Sequence, residues 1–267
     1  MHRRNPVLAV REVTKNFGGV QALGNVSFEV AAGEVVGLVG DNGAGKSTLV
    51  KVLSGVHGPS SGHIELDGSP QRFERPVDAT RAGIATVYQD LSLAMQRSVA
   101  ANFFLGRELI STRWLGRRFG LLDRREMEKR THDALSKLLT RVPDVHTPCR
   151  ALSGGQRQGL AIARAVTWCD RLLILDEPTS ALGVEQQREV LDIIRRARST
   201  GIAVLFVSHQ MNDVVSVCDR AVVLRLGAVA ATLSGTELTV DALVGYITGS
   251  LPARDVQTAT SAGGARP

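Results

Sequence analysis

Apolar positions fall into short strand-like runs and longer stripes at helical spacing, and the two alternate along most of the chain. In the first third, Leu8–Val13, Val26–Val30, Val35–Val39 and Ile64–Leu66 read as strands, the last of them followed by the turn pair Asp67-Gly68. This opening predicts an antiparallel flap leading into a parallel core. Lys46–Leu53 carries apolar residues at helical spacing just after the wholly apolar run Val35–Val39. Ile84–Tyr88 reads as a further strand. From Val99 to about Leu139 the pattern is mostly helical, interrupted by a loop around Ser111–Gly120, and a helical subdomain is expected over about 97–166. Strand and helix signals then alternate again through Leu172–Leu175, Glu185–Arg198, Ala203–Val207 and Met211–Val217. Arg220–Leu224 and Ala228–Leu233 suggest a hairpin around Gly227, and Thr239–Thr248 a short helix. The prediction is one α/β unit over 8–249, without internal repeat, and a mobile tail over 250–267 rich in Ala, Gly, Thr and Pro.

A chain of 267 residues can bury a substantial core. It has no apolar run near the roughly 18 to 20 residues that span a bilayer, and His2-Arg3-Arg4 is not followed by the apolar segment of a signal peptide, so a soluble, cytoplasmic protein is expected. Cys149, Cys169 and Cys218 are odd in number and lack C-x-x-C spacing, which argues against a disulfide framework or zinc site. The net charge of +6 invites nucleic acid or an anionic membrane as partner. Between Arg107 and Arg130, however, the cations alternate with Glu108, Asp123, Glu126 and Glu128, as on a solvated helical face, and no aromatic-rich stacking platform accompanies them. Nucleic-acid binding is therefore not expected, while a membrane-adjacent location is compatible with the charge.

The chemistry starts at Gly40-Asp41-Asn42-Gly43-Ala44-Gly45-Lys46-Ser47-Thr48, which matches G-x-x-x-x-G-K-S/T between a predicted strand and a predicted helix. Glycines let successive backbone N–H groups turn inward onto phosphate oxygens, and the helix N-terminus adds partial positive charge. Lys46 can reach the β- and γ-phosphates of a nucleotide, and Ser47 can hold Mg²⁺. Downstream, Leu172-Leu173-Ile174-Leu175 delivers Asp176 and Glu177 to the end of a buried strand. Asp176 suits a role in holding Mg²⁺, and Glu177 suits facing the attacking water, because phosphoryl transfer needs positioning and charge neutralisation above all.

Leu152-Ser153-Gly154-Gly155-Gln156 reproduces the signature sequence of ATP-binding cassette (ABC) transporter ATPases, and it precedes the apolar-patterned helix Gln158–Val166. Ser153 can cap that helix, and the glycines can expose N–H groups to an anion. The chain thus resembles an ABC ATPase: a P-loop NTPase core with an antiparallel β flap and a helical subdomain. The resemblance implies ATP and Mg²⁺ as ligands and a head-to-tail homodimer in which Ser153 to Gln156 of one subunit meet the γ-phosphate held by the other. It further implies that Gln89, after the strand Ile84–Tyr88, touches the metal or water and senses the membrane partner. His209 takes the place of the switch histidine on the γ-phosphate, and Phe17 that of the aromatic stacked on adenine.

Where many of these ATPases carry Asp after the strand-end motif, this chain has Gly183, a replacement similar to those among carbohydrate importers. Phe17 to Leu23, Ala100 to Glu108 and Leu121 to Met127 likewise resemble monosaccharide importers of the ribose and fructose type, the single cassette being more similar to the fructose type. A permease, an extracytoplasmic sugar-binding protein and a place on the cytoplasmic face of the membrane are implied. The helical segment near Val99 to Arg107 is the expected permease contact. Two other readings stay open: import of another small molecule, and a soluble ABC ATPase acting on nucleic acid or ribosomes. A third, a module that closes on ATP but scarcely hydrolyses it, is motivated by Gly183.

Overall fold

A computed structural model describes residues 6–111, 118–138, 140, 142–180 and 182–254. Leu139, at the edge of the expected helical stretch, and most of the expected tail, 255–267, lie outside the described residues. Two sheets organise the molecule. The smaller one is antiparallel and has the order β2-β1-β4-β5, formed by β1 (Pro6–Phe17), β2 (Val20–Ala31), β4 (Ser61–Leu66) and β5 (Ser69–Gln71). The larger one has the order β10-β9-β3-β8-β7-β6, with β3 (Val35–Val39), β6 (Ile84–Val87), β7 (Leu172–Asp176), β8 (Ala203–Val207) and β9 (Arg220–Arg225) parallel to their neighbours. Its last strand, β10 (Ala228–Ser234), pairs antiparallel with β9.

The continuous apolar runs of β3, β7 and β8 follow from burial on both faces, as parallel strands require. Successive side chains alternate between two cores. Val35, Leu173, Leu175, Val204 and Phe206 face a core shared with the helices α5 (Gly154–Thr167) and α6 (Val184–Ser199). Val36, Leu38, Leu172, Ile174, Leu205 and Val207 face the other, shared with α1 (Lys46–Leu53) and the antiparallel sheet. This two-sided packing fixes where β3 and β7 end, and so where the residues beyond them can act.

The segment between β6 and α5 departs from expectation. It holds the short helix α3 (Val99–Phe103) and the longer α4 (Arg124–Lys137), but residues 104–110 are not helical. Gly106 takes a left-handed φ of 78° soon after α3, and Ile110 instead bridges to Leu122 as a strand pair would. Asn102, fully buried, helps hold this geometry: its Oδ1 accepts from the Ala94 N–H at 2.7 Å and its Nδ2 donates to the Ala94, Arg97 and Ser98 carbonyls. Sequence patterning also passes over β5 and α2 (Pro76–Arg81). The helix is announced only by Pro76 in its first turn and by Asp78, whose carboxylate accepts from the Arg75 N–H. The remaining elements are α7 (Met211–Val217) and α8 (Val240–Thr248), the latter capped by Thr239.

Candidate nucleotide site

The glycine loop leaves the central strand β3 and enters α1. Gly45 is the residue before α1, at φ 104°, and a Cβ there would stand 2.8 Å from the Ala22 carbonyl oxygen and from a Leu23 methyl. At Gly40 a Cβ would fall 2.3 Å from the Leu224 carbonyl oxygen. The loop therefore lies tight against β2 and β9 on one side while Asp41, Asn42 and Gly43 stay exposed on the other. Ala44 is buried within it, and its N–H donates to the Asp41 carbonyl. Lys46 Nζ folds back over the loop and donates to the carbonyls of Gly40 (2.7 Å) and Asp41 (3.0 Å). Ser47, exposed, and Thr48 complete the first turn of α1.

Asp176 ends β7, two strands from the loop. Its carboxyl is pushed above the usual range, first by burial and then by the negative charge of Glu177, against a downward pull from Lys46 and Lys51. A raised carboxyl pKa stabilises the fold only at acid pH, and that contribution is lost as pH rises through the folded value. A cation beside Asp176 would favour its ionised form and oppose this upward push. Glu177 sits in a left-handed backbone, φ 52°, with its N–H bonded to the Val207 carbonyl, so the end of β8 fixes it directly. Its Oε2 lies 2.7 Å from His209 Nδ1, in the loop after β8. The carboxylate is largely buried and the imidazole mostly exposed, an arrangement that leaves the histidine's far edge available to a ligand.

The other expected residues lie as follows. Gln89, two residues beyond β6, is exposed and makes no hydrogen bond among the described residues. Phe17 is 45% exposed at the end of β1, with the His57 ring edge-on at 5.3 Å and Lys15 Nζ at 5.2 Å from its centroid. Ser153 caps α5: its Oγ accepts from the Gln156 N–H at 3.2 Å while Gln156 Oε1 accepts from the Ser153 N–H at 2.9 Å. Gly154 is exposed, whereas Gly155 is buried against Gln186. Neither Ser153 nor Gln156 hydrogen-bonds to Lys46, Asp176, Glu177 or His209. Within one chain, Glu177 and His209 are brought together and the signature segment is left facing outward.

Gly183 occupies the cap position before α6 at φ −71°, and a Cβ there would meet nothing within 4 Å. The backbone does not demand glycine, so an aspartate would fit without rearrangement. Sequence reasoning missed a neighbouring link. Gln187 Nε2 donates to Gln210 Oε1 at 3.1 Å, and both side-chain amides point at the Thr179 carbonyl at 3.4 Å. The turn after Glu177 is thereby tied to the loop carrying His209. The adjacency of Gln210 to His209 was the available signal; Gln187, far off in sequence, offered none.

The residues present suit a nucleotide and its metal. Glycine at positions 40 and 45 lets the loop lie close against β9 and β2, while its other side, with Asp41, Asn42 and Gly43 exposed, is open to a ligand. Among the described residues no group of three or more His, Cys, Asp or Glu could hold a metal on its own. Ser47 and Asp176 supply an incomplete donor set, which matches Mg²⁺ that keeps phosphate oxygens and waters as its other ligands.

A glycine-rich loop between the central strand and its helix, with carboxylates ending a nearby parallel strand, defines a phosphate-loop nucleoside triphosphatase of the α/β class. The sequence model of the family described as ABC transporter matches residues 23–180. The fructose import ATP-binding protein FrcA of Rhizobium meliloti is 41% identical over 248 residues, covering 92% of this chain and 95% of that one. A ribose import ATP-binding protein of Streptomyces coelicolor is 44% identical over 91% of this chain but only 47% of its own length, so this chain spans about half of that relative. In solved structures, a dimeric ATP-binding cassette in a post-hydrolysis state with ADP and Pi superposes with a TM-score of 0.70 at 23% identity, covering 85% of this chain and 98% of that one, a likeness of fold. The chain belongs to the ABC transporter family, as an ATP-binding, ATP-hydrolysing subunit.

Proposed function

We propose that this chain energises a membrane permease for monosaccharide uptake, two copies enclosing two ATP molecules at composite sites. The observation that carries the sugar reading is the match along nearly the whole length of a fructose import subunit. In this reading Gly40, Asn42, Gly43, Ala44, Gly45 and Thr48 line the phosphates and Lys46 neutralises the β- and γ-phosphates. Ser47, Asp176 and Gln89 hold Mg²⁺, and bound Mg²⁺ neutralises charge on the phosphate oxygens. Glu177 orients the attacking water while His209, beside Glu177, donates toward the γ-phosphate. Ser153, Gly154, Gly155 and Gln156 close the site from the twin subunit, and Phe17 stacks on adenine. Deleting the gene is expected to abolish growth on one monosaccharide as sole carbon source, with the parental chain restoring it and Lys46→Ala failing to do so. Unimpaired growth on every monosaccharide tried would assign the subunit to another cargo.

The permease partner and an extracytoplasmic sugar-binding protein follow from the same reading, with the subunit held at the cytoplasmic face of the membrane. For the permease contact, α3 itself is unsuited, since Val99, Ala100, Phe103 and Phe104 are buried. A groove of about 200 Å³ beside it is better placed: Tyr88, Asp90 and Leu91 from the segment around Gln89 form one wall, and Leu105, Arg107 and Trp168 the other. Arg107 lies over the Trp168 ring at 5.1 Å. Leu105→Asp combined with Arg107→Glu is expected to leave ATP turnover of the free subunit unchanged while sugar uptake through the reconstituted transporter drops by roughly tenfold or more, the cost of two polar mismatches in a packed contact. Uptake at the parental level would take the permease off this groove.

A further inference from the structure

A second cavity, of about 360 Å³, opens between the residues leading into α3 and the start of α4. Arg97, Arg124 and His146 line it, with Leu122 and Met127 as apolar wall. Glu128 also reaches it, at 3.6 Å from His146. Arg97 and Arg124 are exposed and form no ion pair among the described residues, and the same holds for Arg118 and Arg125 nearby. In sequence, residues 105–125 contain six arginines against Glu108 and Asp123; of these, Arg107 belongs to the groove beside Trp168, Arg113 and Arg117 lie outside the described residues, and Arg118, Arg124 and Arg125 are the ones exposed here.

The carboxylates expected to balance this charge are engaged elsewhere. Glu108 accepts from the Gly106 N–H, Asp123 caps α4 through the Glu126 N–H, and Glu126 pairs with Arg130 at 2.6 Å. Beside the free cations stands a row of exposed apolar side chains: Ile110 (56%), Phe119 (67%), Leu121 (56%) and Leu122 (45%). The Ser111 N–H bonded to the Leu121 carbonyl, and the Asp123 N–H to that of Leu109, hold Ile110 beside Leu121 and Leu122. Arginines without partners next to protruding apolar side chains are the chemistry that anionic bilayer surfaces attract.

We propose that this face rests on an anionic bilayer, with a lipid phosphate seated between Arg97 and Arg124 and the side chains of Ile110, Phe119, Leu121 and Leu122 entering the headgroup layer. The charge complementarity is specific to this segment and does not depend on which sugar is carried. The purified full-length protein is mixed with vesicles of phosphatidylcholine alone, or with about one third phosphatidylglycerol, and sedimented. Binding is expected only with phosphatidylglycerol, weakened at high salt, and reduced roughly tenfold both by Arg97→Glu with Arg124→Glu and by Phe119→Asp, while ATP turnover in solution is unchanged. No phosphatidylglycerol-dependent binding, or parental binding by both variants, overturns the proposal. Binding of soluble glycerol phosphate without vesicle binding also overturns it and gives the cavity to a free phosphate ligand. Binding that requires permease in the vesicles and ignores phosphatidylglycerol gives the face to the permease instead.

Discussion

Glu177→Gln is expected to keep ATP binding and to lower ATP turnover by at least about 100-fold, the scale of a lost general base. The substitution is nearly isosteric, and the bond from the residue 177 N–H to the Val207 carbonyl does not involve the side chain, so the left-handed turn should survive. What disappears is the anion facing His209 at 2.7 Å. Removing that charge also takes away one of the two influences that push the Asp176 carboxyl up, a change in favour of the ionised form that suits Mg²⁺, so nucleotide affinity is preserved. Closed pairs should accumulate with ATP inside them, visible as an ATP-dependent shift in size-exclusion chromatography. Parental turnover by this variant would remove Glu177 from water activation.

How far the sequence alone reaches can be judged on particular segments. Val35–Val39, Lys46–Leu53, Ala203–Val207 and Met211–Val217 are found with the boundaries that patterning predicts, because strands buried on both faces and helices with one apolar stripe leave little room for alternatives. The failures have local causes. Leu105 to Ile110 reads as helix, yet the left-handed Gly106 and the Ile110–Leu122 bridge override the propensity. β1 and β2 run for 12 residues each, longer than the apolar alternation suggests, because register shifts along their pairing break the period. At the site, the phosphate loop and the strand-end carboxylates were legible as contiguous motifs. The Glu177–His209 contact and the Gln187–Gln210–Thr179 link were not, since each depends on β7 and β8 lying side by side.

That last link bears on Gly183. With glycine at position 183, two glutamine amides on the Thr179 carbonyl tie the start of α6 to the histidine loop. Within a single subunit a displacement of the histidine loop is therefore expected to be felt at the start of α6, and Leu182, just before that helix, lies 3.8 Å from where a Cβ on Gly154 of the same chain would be.

Mixing two inactive variants should restore turnover. Lys46→Ala removes the cation of the phosphate loop. Gly154→Asp puts a carboxylate on the exposed start of α5, where a Cβ would meet only a Leu182 methyl at 3.8 Å and an acid in the first turn favours the helix, so folding is preserved while an approaching phosphate is repelled. Each variant alone is expected below about one hundredth of the parental rate, the scale of a lost charge-stabilising group. In a head-to-tail pair the two lesions fall in the same pocket, and the other pocket combines an intact phosphate loop with an intact signature. An equal mixture should therefore recover up to roughly a quarter of the parental turnover, because half the pairs are mixed and each keeps one of two pockets. The same mixture built on Glu177→Gln provides a readout independent of cooperativity between pockets: mixed pairs should retain ATP through gel filtration where neither variant alone does. A mixture that neither hydrolyses nor retains ATP, or a Gly154→Asp variant that works at full speed, would mean that one chain holds the whole site, against the outward-facing Ser153 and Gly154 from which the composite pocket is inferred.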